Sequence, residues 1–259
     1  MKKTFCAIAI AASLFTVSAL AQNTRSKGIP TLVKSTGTLK GTFPTGVASL
    51  TPPPPCFPTC LFYGGDINSS SPDENGFANE NTLLVPDTQV WGAFNVPAGQ
   101  TWTVDGLFIN TIADGYDGID PTESTWAIAS GVSAGNAGTT VASGTSTASG
   151  TQFTTTGRFP FGFTEYSLRV RIPATVLSSG TYWVNITPQC TDSGNSSCSV
   201  SQYYFDNTFG LNRYGPLEPA DEGFFSSGYF GYDYANDCTV SSTGCQALSF
   251  GVIGTGTTD

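Results

Sequence analysis

The sequence predicts an all-β protein, a two-sheet antiparallel β-sandwich of jelly-roll-like form, on three observations. Apolar residues recur at every second position in several short runs, as they do in strands with one buried face. Clusters of Gly, Ser and Pro separate these runs, and 30 glycines and 16 prolines are enough to turn the chain many times. No stretch shows a sustained apolar stripe of helical period. These patterns together are typical of a sandwich of short strands.

The clearest strand signal lies at residues 164–172. Its apolar side chains share one face and are Tyr166, Leu168, Val170 and Ile172. Its polar side chains share the other face and are Glu165, Ser167, Arg169 and Arg171. This alternation predicts a strand with one buried and one solvent-exposed face. Pro173 is expected to end the strand, because proline cannot donate a hydrogen bond to a neighbouring strand.

Two further strands, 90–96 and 102–109, are expected to form a pair joined by a short turn, and Gly106 indicates a bulge in the second of them. Other strands are expected at 126–129, 140–142, 182–186, 202–205 and 246–252. The segment 142–150, which has a low-complexity sequence, is expected to be a turn. The residues from Gly254 onward are expected to fray.

The N-terminus predicts export. Lys2 and Lys3 precede a short apolar stretch, and Ala-Leu-Ala at 19–21 has the small residues that a signal peptidase cleaves. We therefore expect a signal peptide at 1–21. The alternative is a membrane anchor, but the apolar stretch is too short for a comfortable span and no second one follows. The protein is expected to be secreted, either extracellular or periplasmic, with no membrane span.

Composition divides the rest of the chain into two parts. Residues 22–60 are rich in Thr, Ser, Gly and Lys and end in a run of prolines at 52–55, which predicts an N-terminal tail and a Pro-rich linker. Residues 61–259 are expected to form one β-sandwich domain, a length that one all-β domain commonly has.

The cysteines agree with export. Of the seven cysteines, Cys6 lies in the signal peptide, and an even number remains, as expected for disulfides in an exported protein. Their close grouping predicts three local bridges, Cys56–Cys60, Cys190–Cys198 and Cys238–Cys245. Zinc is the alternative, but the chain has no histidine and no repeated C-x-x-C motif.

Charge argues against some partners. The net charge is -9, every lysine lies at or before Lys40, and all 19 acidic residues lie at or after Asp66. A surface this acidic repels phosphate groups, so no nucleic acid and no anionic membrane is expected as a partner. Cations and neutral polymers are compatible with it. The acidity also has a simpler explanation, which is that it keeps an extracellular protein soluble.

The absence of histidine removes most catalytic arrangements. Ser-His and Cys-His nucleophile pairs are excluded, and there is no Gly-rich phosphate loop followed by lysine. The chain is therefore expected not to be an enzyme. A carboxylate-dependent glycoside hydrolase is the remaining catalytic alternative, with acids in an aromatic- and Gly-rich loop, Glu218, Asp221 and Glu222.

Two acidic clusters have the density of calcium loops, because closely spaced Asp and Asn side chains with nearby glycines can surround Ca²⁺ with oxygen atoms. The candidate ligands are Asp66, Asn68, Asp73 and Asn75 in the first cluster, and Asp114, Asp117 and Asp120 in the second. Neither matches the EF-hand pattern. The alternative is that these residues only cap ordinary polar turns.

Aromatic residues crowd into the segment 203–234. Sugar rings stack on flat aromatic faces, so Tyr229, Tyr232 and Tyr234, with Arg213 to bind hydroxyl groups, are candidate ligand contacts. Exposed aromatics also anchor protein interfaces. The alternative is that they belong to the core, which is the expected place of the phenylalanines and of the four tryptophans, Trp91, Trp102, Trp126 and Trp183.

Three segments, 126–130, 141–145 and 177–186, form a recurring strand and turn pattern, with Leu-Ser-Ser-Gly-Thr-Tyr-Trp-Val-Asn-Ile in the last. In this pattern the chain resembles uncharacterised secreted bacterial proteins and modules appended to surface proteins, over roughly residues 85–190. The resemblance implies a jelly-roll-like β-sandwich and no particular activity.

These observations lead to a functional hypothesis. The chain is expected to be a secreted, non-catalytic binding module for carbohydrate, with calcium as a stabilising cofactor. Its partner would be a polysaccharide or an extracellular protein surface. The alternative is a structural or adhesive subunit of an extracellular matrix, in which the N-terminal tail would donate a strand.

Overall fold

The computed structural model describes residues 56, 58–68, 76–83, 85–114, 123–147, 150–190, 202–216, 223–241 and 247–258. Almost all of its regular structure is β-strand, as the alternating sequence predicts. In chain order the strands are β1 (Cys60–Tyr63), β2 (Gly76–Ala78), β3 (Asn81–Thr82), β4 (Thr88–Val96), β5 (Gln100–Asp114), β6 (Glu123–Ser130), β7 (Thr139–Thr147), β8 (Thr151–Thr155), β9 (Thr164–Leu177), β10 (Gly180–Cys190), β11 (Gln202–Thr208), β12 (Phe224–Ser227), β13 (Tyr232–Asn236), β14 (Ala247–Leu248) and β15 (Phe250–Thr258). A 3₁₀ turn, Pro160–Gly162, precedes β9, and one short helix, α1 (Asp237–Val240), follows β13.

The strands form two sheets packed face to face, so the predicted all-β sandwich is confirmed. The first sheet has eight strands and is centred on β5, which pairs with β9 along one edge and with β15 and then β11 along the other. β8 extends this sheet beyond β9. The second sheet has seven strands, with β13, β12, β4, β10, β6 and β7 in that order and β3 beside β10. Every described pairing between strands is antiparallel except the short contact of β3 with β10.

The core lies between the sheets and is rich in aromatic rings. Phe250 on β15 contacts Phe62, Phe94 and Phe205, with ring centroids 4.9, 6.5 and 6.4 Å away. On the opposite sheet, Gly92 lies against this ring, and a Cβ at that position would come within 2.5 Å of it. The absence of a side chain at residue 92 therefore lets Phe250 reach across to β4.

The tryptophans are buried, as expected, but in two different places. Trp102 and Trp126 belong to the core between the sheets. Trp91 and Trp183 lie on the outer face of the seven-stranded sheet, where they form a separate buried cluster with Phe224. The strand alternation places them there, because their neighbours Val90 and Val184 point into the core.

Several strand boundaries differ from the sequence-based prediction. The segment 142–150 is not a turn up to residue 147, because β7 continues through it, and its threonines are good strand formers. The C-terminal residues do not fray, because β15 pairs with β5 as far as Thr258. Pro173 does not end β9. The register of β9 against β5 shifts between Arg171 and Thr175, and such a bulge tolerates a proline.

The strands at 90–96 and 102–109 are confirmed as β4 and β5, but they do not pair with each other. β4 belongs to the seven-stranded sheet and β5 to the eight-stranded sheet, so the turn between them connects the two sheets. The predicted bulge beside Gly106 is confirmed, since the pairing of β5 with both β9 and β15 shifts register there.

The disulfide Cys56–Cys60 is confirmed. Cys190 and Cys238 are also disulfide-bonded, and their partners lie outside the described residues. The predicted signal peptide and most of the predicted tail lie outside them too. No helix within the described part of the chain is long and apolar enough to cross a membrane.

Candidate functional site

Three strands place polar side chains side by side on the outer face of the eight-stranded sheet. The register pairs Asn110 of β5 with Ser167 of β9, and Ser167 with Thr154 of β8. Residues directly opposite each other in an antiparallel sheet project from the same face. These three side chains therefore form one row across the sheet. Two residues further along each strand, a second row on the same face contains Phe108, Arg169 and Gln152.

These rows line a cleft with a volume of about 340 Å³. Every side chain that lines it can form hydrogen bonds, and the lining residues are Asn110, Gln152, Thr154, Thr155, Thr156, Arg158, Ser167 and Arg169. The cleft is open towards β8, where Gln152, Thr154 and Thr155 are exposed. Its floor is buried, since Asn110 is 0 % and Ser167 is 7 % exposed. The polar face of β9 was predicted to be solvent-exposed, and for Glu165 and Ser167 that prediction is wrong.

Asn110 is oriented by its amide nitrogen. Its Nδ2 donates to the hydroxyl of Tyr63 at 2.9 Å and to Oγ of Ser249 at 2.8 Å. Its Oδ1 is buried and has no hydrogen-bond partner among the described residues. Oγ of Ser167 is also buried and has no hydrogen-bond partner among the described residues. A buried polar atom without a partner costs about 1–3 kcal/mol. Both atoms are closed to solvent, so a ligand would contact them only after the side chains that cover the cleft floor move aside.

One end of the cleft is formed by Arg158, which joins two carboxylates. Its Nη1 lies 2.8 Å from Oδ1 of Asp66. Its Nη2 donates to Oε1 of Glu165 at 2.9 Å, and its Nε contacts Oε2 of the same carboxylate. Glu165 is fully buried and also accepts a 2.5 Å hydrogen bond from the hydroxyl of Thr156. This bidentate pair fixes the connection between β8 and β9 to the body of the sheet.

The charges around Arg158 keep it protonated. Burial alone lowers the pKa of this guanidinium, but the hydrogen bonds and negative charge of Glu165, together with the charge of Asp66, raise the pKa above its ordinary value. Arg169 occupies the other row, with its guanidinium carbon 5.1 Å from the ring centroid of Phe108. Burial lowers the pKa of Arg169.

Tyr63 connects this ion pair to the cleft floor. Its hydroxyl donates to Oδ1 of Asp66 and accepts from Asn110. Burial, and next the negative charge of Asp66, raise the pKa of Tyr63 well above its ordinary value. The side chain is fully buried and therefore stays neutral in the folded protein at ordinary pH.

A pH dependence follows from Tyr63. In the unfolded chain it ionises at about pH 10, whereas the folded protein holds it neutral to higher pH. Since the folded-state pKa is the higher one, this stabilisation is complete below pH ~10 and is lost as the pH rises towards the folded-state value. We expect the free energy of unfolding, measured with urea, to fall above about pH 10 and to fall less steeply in Tyr63→Phe. An unchanged slope in Tyr63→Phe would contradict this assignment.

The calcium candidates are distributed unevenly. The carboxylate of Asp66 already contacts three donors. These are the hydroxyl of Tyr63, the guanidinium of Arg158 and Nδ2 of Asn212, which donates to Oδ2 at 3.2 Å. Asn68 is exposed. The other candidates, Asp73, Asn75, Asp117, Asp120 and the side chain of Asp114, lie outside the described residues. Within the described part of the chain no group of three or more Asp, Glu, Cys or His side chains could hold a metal ion. Calcium binding therefore stays a prediction.

The candidate tyrosines do not share one surface. Tyr232 packs edge-on against Phe225 of the core, with ring centroids 5.4 Å apart. Tyr234 lies near Trp91 on the outer face of the seven-stranded sheet, at 6.1 Å. Tyr229 is 46 % exposed and contacts Phe230 edge-on. The structure therefore does not bring the three rings together into the expected platform.

Arg213, the fourth candidate contact, is buried, with 4 % exposed. Its backbone N–H donates to the carbonyl of Gly210 at 3.2 Å in the loop after β11. It does not line the cleft. Glu218, Asp221 and Glu222, the acids of the hydrolase alternative, lie outside the described residues.

Sequence reasoning missed the floor of the cleft, although one signal was available. Asn110 lies between the apolar run Leu107-Phe108-Ile109, which ends the predicted strand 102–109, and the apolar Ile112. A polar side chain in such a run must find hydrogen-bond partners or a ligand when the strand is buried. Ser167 carried no such signal, because alternation alone predicts a polar residue at its position.

No family model, curated protein or solved structure matches this chain. The function proposed for this protein therefore rests on the geometry of the cleft.

Proposed function

We propose that this protein is a non-catalytic binding module that takes a carbohydrate into the cleft on its eight-stranded sheet. The observation that carries the proposal is the pair of buried, unpartnered atoms on the cleft floor, Oδ1 of Asn110 and Oγ of Ser167. A sugar hydroxyl both donates and accepts hydrogen bonds, so it can satisfy either atom. Binding that displaced the side chains over these two atoms would recover the free energy that they lose without a hydrogen-bond partner.

The chemistry of the lining favours a neutral, hydroxyl-rich ligand over other classes. An apolar molecule would leave a lining made only of polar side chains unsatisfied. An anion accepts hydrogen bonds but donates none, so it could not pair with Oδ1 of Asn110. The volume of about 340 Å³ lies near the lower end of the 300–1,000 Å³ that small-molecule sites span, which suits a single sugar unit.

A binding role rather than hydrolysis is supported by the carboxylates beside the cleft. None of the described residues that line it is acidic. Asp66 and Glu165 are both paired with Arg158, and Glu165 is fully buried. A glycosidase needs one carboxyl that can give up a proton and a second that faces the substrate, whereas both of these carboxylates are occupied by the arginine.

We also propose that the module works outside the cytoplasm. The Cys56–Cys60 disulfide supports this location, because disulfides persist in oxidising compartments. The strongly acidic composition suits a soluble protein that binds neutral polymers and repels phosphate backbones.

The proposal predicts that Ser167→Ala weakens sugar binding without weakening the fold. Its hydroxyl has no partner in the empty cleft, so its removal should leave the Tm unchanged or slightly raised. The dissociation constant for a neutral oligosaccharide should rise about ten-fold, equivalent to a loss of ~1.4 kcal/mol. Calorimetric titration of the full chain with cellohexaose, xylohexaose and mannohexaose, chosen with a neutral-glycan array, measures both the affinity and the ligand.

Two controls sharpen this titration. Ser143→Ala makes the same change on the exposed face of β7, in the other sheet, and should bind like the wild type. Polygalacturonate, an acidic polysaccharide, should bind more weakly than the best neutral ligand. Absence of binding to every neutral glycan on the array, or equal affinity of Ser167→Ala and wild type, would contradict the proposal.

A further inference from the structure

An exposed aromatic residue follows, in the chain, the arginine that forms one end of the cleft. Phe159 is 64 % exposed. It follows Arg158, which forms one end of the cleft, so the Cα atoms of the two residues are about 3.8 Å apart. A single exposed apolar side chain needs no special explanation by itself. Phe159 matters because it follows Arg158 at the end of the cleft and because hydrogen bonds fix the backbone on both sides of it.

Hydrogen bonds hold the connection that carries Phe159 on both sides of the ring. Before it, N–H of Gly157 and of Arg158 donate to the hydroxyls of Thr155 and Thr156, at 3.1 and 3.2 Å. After it, the carbonyl of Phe159 accepts from N–H of Gly162 at 3.3 Å within the 3₁₀ turn. The conformation requires positive φ at both flanking glycines, 79° at Gly157 and 86° at Gly162.

Two stronger anchors complete this arrangement. The carbonyl of Arg158 accepts from N–H of Glu165 at 3.1 Å, while its guanidinium pairs with Asp66 and Glu165. On the far side of the turn, Phe163 packs against the cluster of Ile67, Ala78, Ile112 and Tyr204. The ring is therefore attached to a fixed backbone, which lowers the entropy that ligand binding would have to overcome.

We infer that the ligand is an oligosaccharide chain, with one sugar unit hydrogen-bonded in the cleft and an adjacent unit stacked on the ring of Phe159. This inference rests on the proposed function and adds the length and orientation of the ligand. A pyranose ring has polar edges and an apolar C–H face. The cleft provides partners only for the edges, and the exposed ring of Phe159 provides the apolar surface that a sugar face prefers.

The stacked unit predicts a dependence of affinity on chain length. A monosaccharide fills the cleft alone, whereas a longer chain also reaches Phe159. Affinity should therefore rise about ten-fold or more between the monosaccharide and the hexasaccharide of the preferred sugar, equivalent to ~1.4 kcal/mol. Phe159→Ala should abolish this rise and leave the affinity for the monosaccharide unchanged, while Phe159→Trp should preserve it.

A matched control is Val176→Ala. Val176 is also 64 % exposed, but it lies at the other end of β9, nine residues and about 30 Å from Ser167 along the strand. This variant should bind every chain length like the wild type. Because Phe159 is exposed and makes no ring contact within the described part of the chain, its replacement should also leave the Tm unchanged.

Calorimetric titration separates the two proposals. It compares the wild type with Ser167→Ala, Phe159→Ala and Val176→Ala, each titrated with the mono-, di-, tetra- and hexasaccharide. Loss of affinity in Phe159→Ala for long chains only supports the inference. Equal affinity of Phe159→Ala and wild type for the hexasaccharide overturns the inference, while a weaker Ser167→Ala would leave the proposed function standing. Absence of binding by the wild type to all lengths overturns both.

Discussion

Replacing Arg158 with methionine should lower the free energy of unfolding by about 3 kcal/mol, the lower end of the range for breaking a buried ion pair. The reason is what the change leaves behind. Glu165 is fully buried, and Asp66 is 7 % exposed, so both carboxylates would lose their cation in surroundings of low polarity. We take the lower end because the side chain of Arg158 is itself 31 % exposed, and water can partly replace it.

A second variant distinguishes this charge effect from a general loss of packing. Combining Arg158→Met with Asp66→Asn and Glu165→Gln removes the two carboxylates along with the cation and should recover much of the lost stability. Arg171→Met, at an exposed position of β9, should change stability by less than about 0.5 kcal/mol. Urea unfolding at neutral pH measures all three. Arg158→Met with wild-type stability would show that the ion pair does not hold the β8–β9 connection.

Replacing Phe250 with alanine should lower the free energy of unfolding by about 3–5 kcal/mol, because it removes a fully buried ring and leaves a cavity. The site cannot collapse easily. Phe62, Phe94 and Phe205 surround the ring, and Gly92 on the opposite sheet has no side chain to move into the space. The variant therefore weakens the contact between the two sheets where the core is most aromatic.

Phe250→Leu is the matched control, since it keeps most of the apolar volume and should cost less than half as much as the alanine variant. Gly92→Val tests the same contact from the other sheet and should also destabilise, since its side chain would overlap the ring. Thermal unfolding monitored by near-ultraviolet circular dichroism measures each Tm. A Tm of Phe250→Ala within a few degrees of the wild type would contradict the assignment of this ring to the centre of the core.

The strands could be predicted because alternation follows directly from one-sided burial. The pattern at 164–172 identified β9 and the core face of Leu168 and Val170 correctly. The partners of each strand could not be predicted in this way. Nothing in the sequence of 97–100 indicates that this turn crosses from one sheet to the other. Likewise, the tolerance of Pro173 depends on a register shift against β5, a strand far away along the chain.

The site was harder to predict because its parts come from distant segments. The fold alone brings together Asp66, Arg158 and Glu165, since they come from the loop after β1, the β8–β9 connection and β9. Their spacing in the sequence therefore does not predict the contact. The sequence drew attention to Tyr232 and Tyr234 because they are close together. Strand alternation would place residues two apart on the same face. These two separate because the register of β13 against β12 shifts between Phe225 and Ser227, where Tyr234 has a positive φ of 44°. Asn110 was the one floor residue with a sequence signal.

The most direct test of the carbohydrate cleft is to map the ligand contacts on the protein. Amide and side-chain resonances of the ¹⁵N-labelled chain would be followed by NMR during titration with the neutral oligosaccharide that binds best. We expect the largest shift changes at Asn110, Gln152, Thr154 and Ser167, followed by Arg158 and Phe159. Saturable changes confined to the outer face of the seven-stranded sheet, or to Tyr229 and its neighbours, would contradict the assignment and move the site elsewhere on the sandwich.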